Sequence, residues 1–199
     1  MQKEIECKYF INSKDEIRSK LKSIELNLKS PEFLMKRKAF CKKGEEKTGE
    51  YWRVRNEYNQ ITMTYKNIKN NTIDGVDEIN LIIDDFENGC EMLSSTGLIC
   101  KSYQETYREI WDNDEVEVVI DEWPCLQPYI EIEAENEDII KKYAKLLGFN
   151  FEDCYFGGVD VLYAKQYNYP QKDINIIPVF TFNNDALKKE LNKYIANDK

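Results

Sequence analysis

Hydrophobic and polar positions alternate from the start of the chain. In residues 1–10, read as a strand, Glu4, Glu6 and Lys8 share one face while Ile5, Cys7 and Tyr9 share the other. The period then changes. Ser13-Lys-Asp-Glu16 has capping-box spacing, and Ile17, Leu21, Ile24 and Leu28 recur at helical spacing, which predicts a helix over residues 14–29, ended before Pro31. A strand follows over 33–41 with Arg37 at its middle, then a polar, glycine-bearing turn over 42–49. In residues 50–55, Trp52 and Val54 oppose Arg53 and Arg55; a hairpin turn over 56–60 leads into 61–66, where Ile61, Met63 and Tyr65 oppose Thr62, Thr64 and Lys66.

After a loop over 67–75, residues 76–84 alternate again, with Ile79, Leu81 and Ile83 opposite Glu78 and Asn80. Asp84 or Asp85 caps a short helix ended by Gly97. Strands are predicted over 98–111, over 115–123 (Val116, Val118 and Ile120 against Glu117, Val119 and Asp121) and over 129–133, where Glu131 and Glu133 repeat the opening arrangement. A second long helix covers 137–147, with Gly148 as its stop. Residues 160–169 read as helical or irregular, 170–178 as extended, and Asn183 or Asn184 opens a charged terminal helix.

About eight strands in hairpin-like succession, with three or four helices, make an α+β, mainly antiparallel fold. Periodicity allows two forms. An open sheet shows its charged face to water, whereas a closed barrel turns that face inward around a polar lumen.

Composition narrows the function. A chain of 199 residues with 42% hydrophobic and 33% charged positions is one soluble globular domain by expectation. Its longest apolar runs are too short for a bilayer and its first residues do not resemble a signal peptide, so no membrane partner is expected. Six scattered cysteines without a CxxC pair, and no histidine, exclude a zinc-finger reading and a histidine base; free thiols in the cytoplasm are the expectation. A net charge of −9 argues against nucleic acid, yet residues 1–70 carry 17 basic against 10 acidic groups and the remainder 11 against 27. The basic first part suits a small polyanion.

Sorted by sign, the polar faces give two sets. Glu4, Glu6, Glu78, Glu117, Asp121, Glu131 and Glu133 offer the carboxylate oxygens that Mg²⁺ or Mn²⁺ prefer. Lys8, Arg37, Arg53, Arg55, Lys66 and Arg108 offer the ammonium and guanidinium groups that suit a phosphate chain. Together they describe a site for a metal-chelated polyphosphate. Solvated cross-strand ion pairs would explain each pair separately, but not the recurrence over so many strands.

Glu4-x-Glu6-x-Lys8 resembles the ExExK signature of the CYTH superfamily, the triphosphate tunnel metalloenzymes, which include class IV adenylyl cyclases, thiamine triphosphatases and inorganic triphosphatases. Arg53-Val-Arg55, Lys66, Glu78, Arg108, Asp121 and Glu131-Ile-Glu133 resemble the later elements in order, and the segment from Asp121 through Trp123-Pro124 to Pro128 is similar to that of bacterial members. The resemblance covers about residues 1–165. It implies an eight-stranded antiparallel barrel with a polar tunnel. It also implies metal-binding by Glu4, Glu6, Glu131 and Glu133 with Asp121 in support, and phosphate-binding by Lys8, Arg53, Arg55, Lys66 and Arg108, with Arg37 an additional candidate. Glu4, Glu6 and Lys8 would be the catalytic group, and Glu78 and Glu117 supporting acids. One departure stands out: many members carry K-x-R near Arg108, and position 106 here is threonine.

The resulting expectation is a Mg²⁺- or Mn²⁺-dependent enzyme acting on tripolyphosphate, thiamine triphosphate or a nucleoside triphosphate. The alternatives are an adenylyl cyclase releasing pyrophosphate from ATP and a binding module without turnover. Residues 1–169 would form the tunnel domain and 170–199 an extension on it; a homodimer is left open.

Overall fold

The computed structural model describes residues 2–69, 76–174 and 176–195, with the side chains of residues 2–4 and 195 outside that description. Its strands are β1 (Gln2–Glu4), β2 (Glu6–Phe10), β3 (Asn27–Cys41), β4 (Glu50–Asn56), β5 (Ile61–Ile68), β6 (Val76–Ile83), β7 (Ile99–Asp112), β8 (Val116–Glu122), β9 (Tyr129–Ala134) and β10 (Val179–Phe180). The helices are α1 (Lys14–Ser23), α2 (Phe86–Ser95), α3 (Glu137–Leu147), α4 (Val159–Tyr167), α5 (Gln171–Ile174) and α6 (Asp185–Ile195).

The strands form one sheet in the order β1-β6-β5-β4-β3-β7-β8-β9-β2. β1 and β2 are consecutive, separated only by Ile5, yet the first pairs with β6 and the second with β9, both antiparallel. The N-terminal strand therefore joins the two ends of the sheet, and counted as one strand it makes an eight-stranded antiparallel barrel. Closure leaves no long free edge, and alternation then has an inside and an outside. Most of the polar set faces in, with Glu6, Lys8, Arg37, Arg53, Arg55, Lys66, Glu78, Arg108, Glu131 and Glu133 lining the interior.

The apolar faces point outward under the helices. α1 and α3 lay Ile17, Leu21, Ile140, Ala144 and Leu147 on Cys7, Val118, Ile120, Ile130 and Ile132. α2 packs Cys90 and Leu93 against Phe40 and Val54. A third cluster joins Trp123, Leu126 and Tyr129 to α4, α5 and α6 through Leu162, Tyr163, Ile174, Leu187 and Leu191. Each large aliphatic side chain so buried contributes about 1.5–3 kcal/mol. The shell is incomplete over β6, where Ile79 and Leu81 remain 47% and 53% exposed.

Three sequence expectations need correction. The first helix ends at Ser23, not near residue 29: Glu25 takes a positive φ of 63°, and the chain enters β3 at Asn27, well before residue 33. Pairing of Asn27 and Leu28 with Asp112 and Trp111 outweighs the local helical period, and Leu28 is left 49% exposed. Pro31 falls between the register shifts that separate Ser30 from Phe33, where its missing N–H is harmless. Residues 170–178 are not simply extended, since α5 lies within them. Finally, β10 was not foreseen: it pairs in parallel with β7 at Tyr103 and Gln104. The predicted loop over 67–75 falls mostly on residues outside the description. α3 and the caps at Ser13 and Asp85 match expectation.

Candidate functional site: a charged barrel lumen

The barrel encloses a cavity of about 270 Å³ lined by charged side chains from every long strand. Its acidic pole follows from strand register. Glu6 faces Glu133 and Lys8 faces Glu131 across β2 and β9. Because side chains repeat every second residue, all four point inward. One carboxylate oxygen from each of Glu6, Glu131 and Glu133 can be chosen so that all lie within 4.8 Å of one another. Lys8 Nζ sits among them, 2.5 Å from Glu6 Oε1 and 3.2 Å from Glu131 Oε2. Burial would raise the Glu131 pKa, but Lys8, Arg108 and Lys66 outweigh it and hold the carboxyl well below its usual range. Burial likewise opposes the Lys8 ammonium, and Glu131 and Glu6 reverse the effect, pushing its pKa up. Glu4 lies on β1 with its backbone paired to Val76, and its side chain is outside the description.

The other expected acids serve different partners. Asp121 is fully buried and takes a two-pronged pair from Arg108, with Nε at 2.8 Å and Nη2 at 2.5 Å, plus the Tyr129 hydroxyl at 3.2 Å. Asp121 therefore orients Arg108 and stands apart from the carboxylate trio. Glu78 faces Lys66 across β5 and β6, at 3.0 Å, and lies 3.5 Å from Arg53 Nη2. Glu117 lines the cavity but pairs with Lys29 at 2.7 Å, at the lip.

Opposite the acidic pole stands an arginine wall on β3, β4 and β7. Arg37 and Arg55 are direct cross-strand neighbours, an arrangement of like charges that opposes folding. Burial, reinforced by Arg108, Arg53 and Arg55, lowers the Arg37 pKa to about 9. Burial and Arg53 bring Arg55 to about 10, partly offset by Glu57, whose Oε1 is 2.8 Å from Arg55 Nε. Both guanidinium groups are charged at neutral pH, so these shifts register unfavourable burial of charge.

Glu57 is a lumen residue that sequence reasoning missed, having placed it in the 56–60 turn. Its signal was the parity of Arg53, Arg55 and Glu57 on one face. Thr62 Oγ1 also donates to its carboxylate, at 2.9 Å. Thr106 lies beside Arg37, its hydroxyl accepting from Nη2 at 3.1 Å. Trp123 lies under the same guanidinium, with Cζ 4.6 Å from the ring centre.

A lumen carrying clustered carboxylates and clustered arginines, inside a barrel closed by its first strand, is the arrangement the N-terminal motif implied. The CYTH domain model matches residues 2–150. The chain belongs to the CYTH family. No curated protein matches the CYTH chain. Among solved structures, it is similar to the PH1012 protein of Pyrococcus horikoshii OT3 (TM-score 0.65, 21% identity, covering 76% of this chain and 93% of that one). A candidate adenylate cyclase from Vibrio parahaemolyticus gives 0.66 and 16%, covering 81% and 97%. The candidate adenylyl cyclase HpAC1 of Hippeastrum gives 0.56 and 15%, covering 84% and 98%, and is described as having a dominant triphosphatase activity. At these identities the likeness concerns the fold. No helix among the described residues is long and apolar enough to cross a membrane.

Proposed function

We propose that this CYTH protein is a divalent-metal-dependent enzyme that hydrolyses a triphosphate held in the barrel lumen. The observation that carries the reading is the opposition of poles: three carboxylates converge on one region while Arg37, Arg53, Arg55 and Arg108 line the same cavity. A pure anion binder gains nothing from converging carboxylates, and a pure cation site gains nothing from four guanidinium groups.

The donor set fits Mg²⁺ or Mn²⁺, because it consists of hard carboxylate oxygens with neither histidine nor thiolate. Glu6, Glu131 and Glu133 would hold the ion, with Glu4 joining from the same strand and Asp121 acting through Arg108. When bound, a divalent cation neutralises phosphate charge and polarises the oxygens it touches. Glu131, kept ionised by the cations around it, is suited to hold a cation and is a poor proton acceptor. Lys8, Arg53, Arg55, Lys66 and Arg108 would align the phosphate chain, and the charge they present would stabilise the departing diphosphate. A water oxygen would attack the terminal phosphorus as the bridging P–O bond breaks, giving orthophosphate and, from tripolyphosphate, pyrophosphate.

Hydrolysis is favoured over cyclisation by the Hippeastrum neighbour, which pairs a cyclase name with a dominant triphosphatase activity. The cyclase reading uses the same lumen, with the 3′-hydroxyl of ATP attacking the α-phosphorus. We read residues 170–199 as an extension of the tunnel domain, and a small triphosphate in the cytoplasm, not a nucleic acid or membrane, as the partner. The test offers tripolyphosphate, thiamine triphosphate and ATP with Mg²⁺, Mn²⁺ or EDTA, and measures orthophosphate, pyrophosphate and cyclic AMP separately. Metal-dependent orthophosphate is expected. Cyclic AMP with equal pyrophosphate would replace this reading by the cyclase, and binding without product by a binding module.

A further inference from the structure

The turn between β4 and β5 carries an acid into the lumen. Along β4 and one residue beyond it, alternate side chains share a face at a spacing of about 7 Å, and Tyr51, Arg53, Arg55 and Glu57 all line the cavity. The row passes through two guanidinium groups and ends in a carboxylate. Glu57 is held in that place. Its backbone N–H donates to Gln60 O at 2.9 Å and closes the turn. Oε1 accepts from Thr62 Oγ1 at 2.9 Å and lies 2.8 Å from Arg55 Nε, and Oε2 accepts from Gln60 Nε2 at 3.2 Å. Burial would raise the Glu57 pKa, but Arg55, Gln60, Thr62 and Arg108 outweigh it and keep the carboxyl below its ordinary range.

The surroundings of this mouth extend no cationic track past Arg55. Level with Arg55, β5 and β6 present the neutral Thr62 and Ile82. Tyr58, next to Glu57, meets Phe33 of β3 with ring centres 5.6 Å apart. Phe33 lines the cavity, and so do the cross-strand neighbours Ile110 and Val119 of β7 and β8. A carboxylate at the end of such a row adds nothing to the attraction for phosphate and opposes any phosphate that reaches it.

We propose that Glu57 is a specificity-determining residue, which closes the cationic row of β4 with negative charge and makes the lumen select against longer, more highly charged polyphosphates. The inference rests on the triphosphate reading and adds a limit on the substrate. Two effects act together. A polyphosphate extending past Arg55 brings its oxygens to an ionised carboxylate, and like charges in a lumen walled by protein are screened less than in solution. Glu57 also occupies Arg55 Nε, which leaves the Nη groups as the last donors of the row. Discrimination of this kind comes from repulsion of the wrong ligand as much as from attraction for the right one.

The experiment measures Kd by calorimetry, and kcat/KM, for tripolyphosphate and linear tetraphosphate with Mg²⁺ in wild type, Glu57→Gln and Glu57→Asp. Glutamine keeps an acceptor for Thr62 and Arg55 and removes only the charge. Glu57→Gln is expected to tighten tetraphosphate about tenfold, the scale of one charge felt at about 10 Å through an effective dielectric constant of about 20, and tripolyphosphate about threefold or less. Glu57→Asp keeps the charge and should keep the wild-type ratio. An equal gain for both substrates would show that Glu57 only neutralises Arg55, and a loss for both that it only positions Arg55; either result overturns the proposal and leaves the triphosphate reading standing. A wild type that binds both substrates and turns over neither defeats the hydrolytic reading, while the Kd ratios still decide the role of Glu57. A wild type that binds neither defeats both.

Discussion

The acidic pole and the arginine wall are built on the same barrel by the same alternation, yet their electrostatics are opposite in kind. At the acidic pole a counter-ion is already present: Lys8 bridges Glu6 and Glu131. On the wall, Arg37 and Arg55 face each other across strands and are depressed by burial and by their neighbours. Arg108, locked to Asp121, escapes this and is raised well above its usual value despite its burial. Under the proposed function, the pole would exchange its internal cation for a divalent one. Under the same proposal, the wall would meet the anionic substrate.

Four measurements sharpen or break this contrast. The largest effect is expected from Arg108→Met, because it strands the fully buried Asp121 carboxylate: a loss of about 3–5 kcal/mol in denaturant unfolding, largely restored by adding Asp121→Asn. Little loss would mean that Arg108 belongs to the exchangeable wall. Next, Glu133→Gln should lower kcat roughly 100-fold, the scale of removing one preorganised electrostatic group, with the fold intact by circular dichroism. Near-wild-type turnover there would remove the acidic pole from the chemistry.

Arg55→Met should raise KM roughly tenfold, equivalent to about 1.4 kcal/mol, while stability changes by less than about 1 kcal/mol. Relief of the repulsion with Arg53, and of Arg37 from Arg55, then offsets the loss of the Glu57 pair. A large destabilisation would place Arg55 with Arg108. The smallest effect concerns acid. Glu131 has a folded pKa below its ordinary 4.5, so its contribution is present above 4.5 and is lost as pH falls through the folded value. The Tm advantage of wild type over Glu131→Gln should therefore shrink steadily below pH 4.5. A constant difference would show that Lys8 and Arg108 do not hold the carboxylate.

Much of the site was legible because strand alternation is a local code. Glu6, Lys8, Arg53, Arg55, Lys66, Glu131 and Glu133 all face inward as their parity indicated. Partnership was not legible. Asp121 sorted with the acids by charge and face, and only the register that sets it against Arg108 and Tyr129 shows that it serves the wall. Glu57 was hidden by a turn assignment, and Arg37 carried no sign of its depressed basicity, which depends on the charges that other strands bring near. The helix expected to reach residue 29 failed for a related reason: hydrogen bonds to β7, some 80 residues away, outweighed the spacing of Ile24 and Leu28.

The sequence by itself determined the alternation, the two charge sets and the family motif, because each depends on neighbours two or four residues apart. The tertiary structure decided closure, pairing and the place of β10. Closure requires one nine-residue segment, Gln2–Phe10, to pair with β6 by its first part and β9 by its second. The place of β10 requires a strand from the C-terminal segment to occupy the edge of β7 that β8 vacates. Both are set by hydrogen-bond register between distant segments, a quantity that no local period encodes.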